Sequence, residues 1–200
     1  AWEQAGRQPR LRQGGAGRSA LVPEAVACSL VARPATVQDS LLLWQWRNDP
    51  ATRAGSRSPQ EVPWDDHLRW LTSSLARSDR LLLFVQDAAG PVGTVRWDLE
   101  PEADGPTDGG REWEVSITVA PHRRGHSLGR PLLRAAELAL SEAARSDAMR
   151  SGGTCLSAYL GVVHVDNLAS VRLFETSGYL PDLPPDPQGF MRFRKTARVP

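Results

Sequence analysis

Two hydrophobic patterns follow one another in residues 112–133. Up to Val119, apolar and polar residues alternate, which is the pattern of a strand with one buried face. From Leu128 to about Ala144 the apolar residues recur at helical spacing. A basic turn that contains glycine lies between them. The segment therefore predicts a strand, a turn and a helix, in that order.

The rest of the chain also alternates between short strands and helices. Further strands are predicted at residues 30–33, 81–85, 92–99, 155–163 and 189–195. Helices are predicted at 36–47, from Pro63 onward, and from Asn167 to Gly178. The predicted apolar face of the second helix consists of Trp64, Leu68, Leu71 and Leu75. Residues 51–62 and 181–187 read as loops. This order indicates an α/β or α+β fold.

The N-terminal residues differ in composition from the rest. Residues 1–29 are rich in Arg, Gly, Gln and Ala and show no periodicity. We expect a flexible tail or the remnant of a preceding module there. A chain of 200 residues suits one domain with a buried core. That domain is expected at residues 30–196.

The overall charge and the cysteines exclude several classes of partner. The formal net charge is +1 at pH 7, which is not the strongly basic balance of a nucleic-acid-binding protein. Cys28 and Cys155 are far apart and have no CxxC or Cys/His spacing, so neither a disulfide framework nor a metal site is expected. No apolar run has the length of a membrane span. We expect no nucleic acid, metal or membrane partner, a cytoplasmic location, and a monomer or homodimer.

The turn between the predicted strand and helix has the sequence Arg124-Gly125-His126-Ser127-Leu128-Gly129. The first amides of a helix have no intrahelical acceptor, and they lie at the positive end of the helix dipole. Basic side chains surround this turn, namely Arg123, Arg124, His126 and Arg130. The turn is therefore predicted to bind an anion, and a pyrophosphate is the best candidate.

This turn resembles the acyl-CoA pyrophosphate loop of the GNAT superfamily of N-acetyltransferases, whose pattern is Arg/Gln-x-x-Gly-x-Gly/Ala. Arg124 and Gly129 match the ends of that pattern, and Ser127 replaces its middle glycine. Residues 167–179, NLASVRLFETSGY, resemble the superfamily's second signature, Asn-x-x-Ala/Ser-x-x-Leu-Tyr/Phe-Glu-x-x-Gly-Phe/Tyr. The resemblance implies an α/β (α+β) fold with a mixed, mostly antiparallel central sheet, splayed in the middle and flanked by about four helices.

The resemblance also implies acetyl-CoA as a co-substrate, bound in the split of the sheet. Its implied contacts are Ile117, Val119, Arg124, Gly125, His126, Ser127, Leu128, Gly129, Arg130, Asn167 and Ser170. Main-chain groups near Ile117 and Val119 would meet the pantetheine arm, and the Val119 N–H would donate to the developing oxyanion. Arg130 would reach the 3′-phosphate.

Two residues are implied to be catalytic. Glu114 occupies the position at which many members of the superfamily carry a general base, and it is our first choice for that role. Glu112 lies on the same strand face two residues away, and a solvated carboxylate without a catalytic role is an open alternative. Asn167 is either a plain helix cap or a cap that also contacts the cofactor or an ordered water.

Phe174 stands where the superfamily usually has a tyrosine that acts as the general acid. We interpret Phe174 as a packed helix residue, because a phenyl ring has no proton to donate. Protonation of the leaving thiolate would then depend on Ser170, Tyr179 or water, or would not be needed, since a thiolate is a fair leaving group at neutral pH.

The acceptor is expected to be a primary amine. Segments 44–50 and 64–70 are similar to superfamily members that acetylate amino groups on nucleotide-linked sugars, of the pseudaminic-acid pathway type, and the first also occurs in members that acetylate ribosomal-protein N-termini. Acceptor contacts are predicted for Trp46, Arg47, His67 and Trp70. The expected activity is N-acetyl transfer to a small-molecule amine or a protein N-terminus. The alternative is a non-catalytic acyl-CoA-binding or interaction domain of a larger enzyme, which Phe174 and Ser127 favour.

Overall fold

The computed structural model of the protein describes residues 29–101, 110–151 and 156–197. The segment expected to be a tail or the remnant of a preceding module lies outside these residues, apart from residue 29. Both cysteines also lie outside them. The account below concerns the described residues.

Strands and helices are numbered in chain order. The strands are β1 (Val31–Pro34), β2 (Arg80–Asp87), β3 (Gly90–Leu99), β4 (Arg111–Val119), β5 (Leu156–His164), β6 (Leu180–Leu183) and β7 (Phe190–Thr196). The α-helices are α1 (Ser40–Asn48), α2 (Pro50–Ala54), α3 (Trp64–Leu75), α4 (Gly129–Ser151) and α5 (Leu168–Thr176). Short 3-10 segments occur at Val37–Asp39 and Pro121–Arg123.

The seven strands form one mixed sheet in the order β1-β2-β3-β4-β5-β7-β6. Every neighbouring pair is antiparallel except β4 and β5, which run parallel. The β4–β5 pairing ends at Val115 and Gly161. Beyond that point β4 continues alongside β3 and β5 continues alongside β7. The predicted mixed sheet, splayed in its middle, is thereby confirmed.

Each face of the sheet carries its own hydrophobic core. The core on the α4 and α5 side includes Trp97, Leu132, Tyr159, Phe174 and Phe193. The core on the α1 and α3 side includes Leu43, Trp46, Leu71, Leu82 and Phe84. Alternate residues of each strand serve opposite cores because successive side chains point to opposite faces of a sheet. The same alternation directs a row of charged β4 side chains to the α1 and α3 side.

Two elements that were not predicted are present, and one helix is longer than predicted. Helix α2 lies within the segment that reads as a loop, because Asp49 accepts the amide of Thr52 at 2.9 Å and Pro50 suits the first position of a helix. With it, the described residues contain five α-helices, close to the expected number of about four. Helix α4 extends to Ser151 instead of about residue 144. Strand β6 lies in the proline-rich segment, and an edge strand tolerates Pro181 because one of its sides has no ladder to complete.

The buried face of α3 also differs from the prediction. Its buried residues are His67, Leu71 and Ser74, whereas Trp64 and Leu75 are 36% and 37% exposed. The two polar side chains are buried with hydrogen-bond partners. His67 Nε2 lies 3.0 Å from the Ser40 carbonyl oxygen, and Ser74 Oγ accepts from Arg80 at 2.8 Å. A pattern of apolar residues alone cannot reveal such partners, since they come from other elements.

Asp39 joins the start of α1 to β1. Its carboxylate accepts two hydrogen bonds from the Arg33 guanidinium, at 2.7 and 2.8 Å, and one from the Thr36 amide at 2.8 Å. The last of these is one arm of the predicted capping box. Hydrogen bonding to Arg33, opposed by burial and aided by Thr36, lowers the pKa of Asp39.

We expect Asp39→Asn to lower the free energy of unfolding by about 1–3 kcal/mol at neutral pH. Because the folded-state pKa of Asp39 is lowered, its contribution is complete above the unfolded value of about 3.9 and is lost as pH falls through the folded value. The difference from the wild type, measured by urea denaturation, should therefore shrink in acid. Asp66→Asn, which removes an exposed pair with Arg69, should change stability little. An equal effect of both substitutions would contradict the assignment.

Candidate active site

The split leaves main-chain groups of β4 without a strand partner. The Ala120 amide donates to the Val92 carbonyl oxygen at 2.8 Å. In an antiparallel ladder such bonded residues alternate with residues whose N–H and C=O point the other way. The alternation therefore turns the main-chain groups of Ile117 and Val119 away from β3, toward the side on which β5 has diverged. These two residues line the gap.

The loop that follows β4 presents a second set of unpaired amides. Within the described residues, none of the main-chain N–H groups of residues 125–129 donates to a protein acceptor. Gly125 and Ser127 adopt left-handed backbone conformations, with φ of 78° and 56°. Residues 125–127 are exposed, and α4 begins at Gly129. The loop therefore has free donors at a helix N-terminus, which suits a diphosphate.

Two of the four basic side chains around this loop bind carboxylates of the protein itself. Arg124 donates to Asp49 Oδ2 at 2.6 Å and to Thr52 Oγ1 at 2.5 Å. Arg123 forms an ion pair with Asp87. Arg130 is exposed. The Arg124 side chain, which was predicted to contact the cofactor, therefore binds α2 in this structure. The groups of the loop that are left to bind a ligand are its main-chain amides.

The Arg124 contact favours the ionised form of Asp49. Burial of the Asp49 carboxyl opposes ionisation, but hydrogen bonds from Arg124 and from the Thr52 amide outweigh it and lower the pKa of Asp49. Asp49 is also the N-cap of α2. The loop at residues 124–129 and the helix after α1 are therefore joined by a charge-assisted contact.

The second signature lies across the split from the loop. Asn167 caps α5, since its Oδ1 accepts the Ser170 amide at 3.2 Å. The start of α4 lies beside α5, since a Cβ on Gly129 would make ordinary contact with the Leu173 side chain, at 3.4 Å. Ser170, in the first turn of α5, is half-buried. The predicted cofactor residues of α5 are thus brought near the beginning of α4.

Phe174 is a packed core residue, in agreement with our interpretation. It is 2% exposed, stacks on Phe193 and meets the Tyr179 ring edge to face. Its ring lies over Gly161, where a Cβ would approach the ring carbons to 2.6 Å. The absence of a side chain at residue 161 is therefore what admits the ring.

Tyr179, one alternative proton donor, is bound elsewhere. Its hydroxyl donates to Glu137 at 2.8 Å, and Lys195 donates to both oxygens of the same carboxylate. Burial, and then the charge of Glu137, raise the pKa of Tyr179. The side chain is 1% exposed. Tyr179 therefore belongs to a buried network on the α4 side and offers no proton to the split.

The two candidate bases differ in their partners. Glu112 forms ion pairs with Arg192, at 3.3 Å, and with Arg194 on β7. Glu114 forms one pair, between its Oε1 and Arg57 Nη2, at 3.2 Å, and its side chain is 24% exposed. Glu114 also immediately precedes Val115, where the β4–β5 pairing ends. Of the two carboxylates, Glu114 is the one at the split.

Sequence reasoning missed two groups beside Glu114. Glu100 follows β3, and its amide donates to the Glu112 carbonyl oxygen at 2.9 Å. Burial, and then the charge of Glu114, raise the pKa of Glu100. Arg57 was missed because it lies in the segment read as a loop. Residue alternation along β3 could have indicated Glu100, but nothing in the sequence indicates which strand Arg57 reaches.

Burial removes two of the predicted acceptor contacts. Trp46 is 3% exposed and stacks on Phe84 with 5.5 Å between ring centroids. His67 is 2% exposed, and burial lowers its pKa. Trp70 is half-buried against the same core. Neither Trp46 nor His67 is an open sugar-stacking surface, because their rings complete the packing between α1, α3 and the sheet.

Arg47 remains the polar member of the predicted acceptor set. Its Nη2 donates to the Ser58 carbonyl oxygen at 2.6 Å, and its Nη1 is buried without a hydrogen-bond partner. Burial, and then the charges of Arg53 and Arg96, lower the pKa of Arg47. Its guanidinium lies among cations and has no carboxylate partner within the described residues.

Among the described residues we also looked for other clefts, metal sites and membrane-spanning helices. A cleft of about 130 Å³ between α4 and the first residues of β2 and β4 is at the opposite end of the sheet from the split. The part of the chain that the structure describes holds no group of three or more His, Cys, Asp and Glu side chains arranged to bind a metal ion. None of its helices has the length and apolar character needed to cross a bilayer.

Comparison with known families gives one match over most of the chain. The sequence profile of the acetyltransferase (GNAT) family matches residues 40–179. This range includes the split, the loop at residues 124–129 and the whole of the second signature. No curated protein matches the chain.

Solved structures with the same fold include two acetyltransferases in complex with coenzyme A. A spermidine N-acetyltransferase from Vibrio cholerae, bound to CoA and spermine, has a TM-score of 0.64 at 16% identity, and the match covers 84% of this chain and 95% of that one. The aminoglycoside acetyltransferase AAC(6')-Ib, bound to coenzyme A, has a TM-score of 0.65 at 18% identity with the same coverage. At this identity the likeness shows a common fold.

Substitutions at the two left-handed residues of the loop, Gly125 and Ser127, should change the free energy of unfolding in opposite directions. Gly125→Ala should lower the free energy of unfolding by about 1 kcal/mol, because a Cβ there meets no atom within 4 Å and only the backbone conformation is disfavoured. Ser127→Gly should raise it by up to about 1 kcal/mol. Chemical denaturation measures both, with Ser127→Ala as the control for loss of the hydroxyl. If Ser127→Gly proves less stable than Ser127→Ala, the backbone interpretation is wrong.

Proposed function

The chain belongs to the acetyltransferase (GNAT) family, and on this premise we propose that it transfers an acetyl group from acetyl-CoA to a primary amine. One observation carries the proposal: a loop of unpaired amides lies a few residues after the strand whose own main-chain groups face a split in the sheet. Such a pair of features suits a ligand that has a diphosphate at one end and a reactive group at the other.

Each part of this region has a proposed role toward the coenzyme. When bound, acetyl-CoA supplies an activated acetyl group as a thioester. The amides of residues 125–129 hold the diphosphate, Arg130 supplies positive charge around it, and His126 contacts it. Main-chain groups of Ile117 hold the pantetheine arm, and the Val119 N–H donates to the thioester oxygen as charge develops on it. Asn167 and Ser170 contact the coenzyme from α5.

Glu114 is the proposed general base. In the reaction the amine nitrogen bonds to the acetyl carbon, the C–S bond breaks with its electrons on sulfur, and the proton of the amine passes to the Glu114 carboxylate. Holding the two reactants together supplies much of the rate. Phe174 has no proton to give and Tyr179 is bound to Glu137, so the coenzyme leaves as a thiolate or takes a proton from Ser170 or water.

The acceptor is proposed to be a small-molecule amine, with an amino group on a nucleotide-linked sugar as the first candidate. Arg47 supports this choice, because a cation with an unused donor suits a diphosphate. The relatives of the same fold are named for spermidine and aminoglycosides, which are polycations. Arg47 and Trp70 are the proposed acceptor contacts, whereas Trp46 and His67 are now assigned to packing.

A second candidate function is favoured by the burial of Phe174. A domain that binds acyl-CoA without catalysis needs no proton donor at that position. The two candidates differ in one measurement, the release of free thiol from acetyl-CoA when amines are supplied. A suitable panel contains a nucleotide-linked amino sugar, spermine, ribostamycin and a peptide with a free N-terminus. Thiol release with none of them would favour the binding domain.

Gly129→Glu should abolish stabilisation by acetyl-CoA. Ligand at about 100 times its Kd stabilises a protein by about 2.7 kcal/mol, which raises the melting temperature. A carboxylate at the start of α4 would repel the diphosphate, whereas Gly129→Ala fits, since its Cβ would make ordinary contact with Leu173. Thermal unfolding with and without acetyl-CoA measures the shift. A full shift in Gly129→Glu would place the diphosphate elsewhere.

Glu114→Gln should lower kcat about 100-fold with no change in the melting shift from acetyl-CoA, because a general base typically contributes a factor of about 10² to 10⁴. Glu112→Gln is the matched control, since it alters the neighbouring carboxylate on the same strand face. Thiol release with the most active amine of the panel measures both. If Glu112→Gln lowers kcat more than Glu114→Gln, the assignment of the base is wrong.

A further inference from the structure

The segment between α2 and α3, residues 55–62, crosses the mouth of the split. It is tied to the helices at several points. Arg47 and Arg53 donate to the carbonyl oxygens of Ser58 and Pro59, at 2.6 and 2.9 Å. The Val62 carbonyl oxygen accepts from two side chains of α1. We call residues 55–62 the strap.

The first residues of the strap span the two sides of the split. A Cβ on Gly55 would lie 3.1 Å from Asn167 Nδ2 at the start of α5. Two residues later, Arg57 Nη2 lies 3.2 Å from Glu114 Oε1 on β4. The Arg57 guanidinium also lies 5.7 Å from the ring centroid of Phe190 on β7. Arg57 thus covers the point where β4 and β5 separate.

The position beside Glu114 is therefore held by a cation of the protein. A general base that takes a proton from an amine must have that amine within hydrogen-bonding distance. The Arg57 guanidinium is at that distance from Glu114 Oε1 in this structure. Acceptor and Arg57 thus compete for one carboxylate.

The Arg57 contact is weak enough to be displaced. The Arg57 side chain is 55% exposed and Glu114 is 24% exposed. Exposed ion pairs of this kind contribute about 0.2–1 kcal/mol. Exchange of the guanidinium for an ammonium ion leaves the carboxylate paired throughout, so the exchange avoids an unpaired half-buried charge. A neutral group in the same position would leave Glu114 without a cation.

We propose that Arg57 is a specificity-determining residue on the acceptor side: its guanidinium occupies the position of the acceptor amine, and the acceptor enters as an ammonium ion by displacing it. Glu114 takes one proton from that ion and passes it to water, which frees the lone pair of the nitrogen. Glu114 then takes the second proton as the nitrogen bonds to the acetyl carbon and the C–S bond breaks. The inference rests on the proposed acetyl transfer and on Glu114 as its base. It adds the class of acceptor, an amine protonated at neutral pH. Weakly basic aromatic amines, which arrive neutral, are excluded because they do not replace the cation.

The test separates the acceptor from the coenzyme kinetically. Arg57→Ala should lower KM for spermine, or for the most active amine of the panel, by up to about fivefold, the factor that corresponds to the upper end of the range for an exposed ion pair. KM for acetyl-CoA should not change. Arg57→Lys keeps a cation and should retain the wild-type KM. Arg53→Ala is the matched control, because it releases the strap at Pro59 without touching Glu114.

The results that would overturn the inference are distinct from those that would overturn the function. Wild-type protein that releases no thiol with any amine defeats the proposed acetyl transfer, and the inference falls with it. An active wild type with an unchanged or higher acceptor KM in Arg57→Ala defeats the inference alone. So does an equal decrease in Arg53→Ala, since the effect would then come from a loosened strap.

Discussion

Parallel pairing between β4 and β5 ends at Val115 and Gly161, and the proposed functional groups are arranged around that end. Gly161 leaves room for the Phe174 ring, while β5 stays paired with β7 from Ala158 to His164. The main-chain groups of Ile117 and Val119 lose a strand partner at this point. Sheet interiors normally pair such groups, so an unpaired set inside a sheet is available to a ligand. We attribute the split to two contacts of β5, the Phe174 ring against Gly161 and the pairing with β7.

A chain of polar contacts joins the two proposed binding regions. Arg124, beside the unpaired amides, holds Asp49 at the N-cap of α2. Helix α2 leads into the strap, and Arg57 of the strap reaches Glu114. The coenzyme side and the acceptor side are thus connected through one short helix. Most of these contacts are made by charged groups at or near the surface, where each alone contributes little to stability; together they fix where a loop lies.

The same packing explains why the predicted acceptor set shrank. Aromatic residues of α1 and α3 were assigned to a sugar surface, yet the sheet needs a second hydrophobic layer on that side, and Trp46 fills it against Phe84. His67 is buried with its ring nitrogen near the Ser40 carbonyl oxygen. A large aromatic ring stabilises the fold more when it is buried in a core than when it is exposed in a groove. The polar groups left on this side are the charged side chains of the strands and those of the strap.

The sequence by itself determined the order of most strands and helices, the mixed sheet through the family resemblance, the turn before α4 and the Asn167 cap. These follow from residues within a few positions of one another, or from signatures that occupy a single segment. Only the tertiary structure decided which face of α3 is buried, that Arg124 turns to Asp49, and that Arg57 meets Glu114. Those contacts join residues as much as 75 positions apart. Such a choice depends on which elements pack together, and local periodicity holds no information about it.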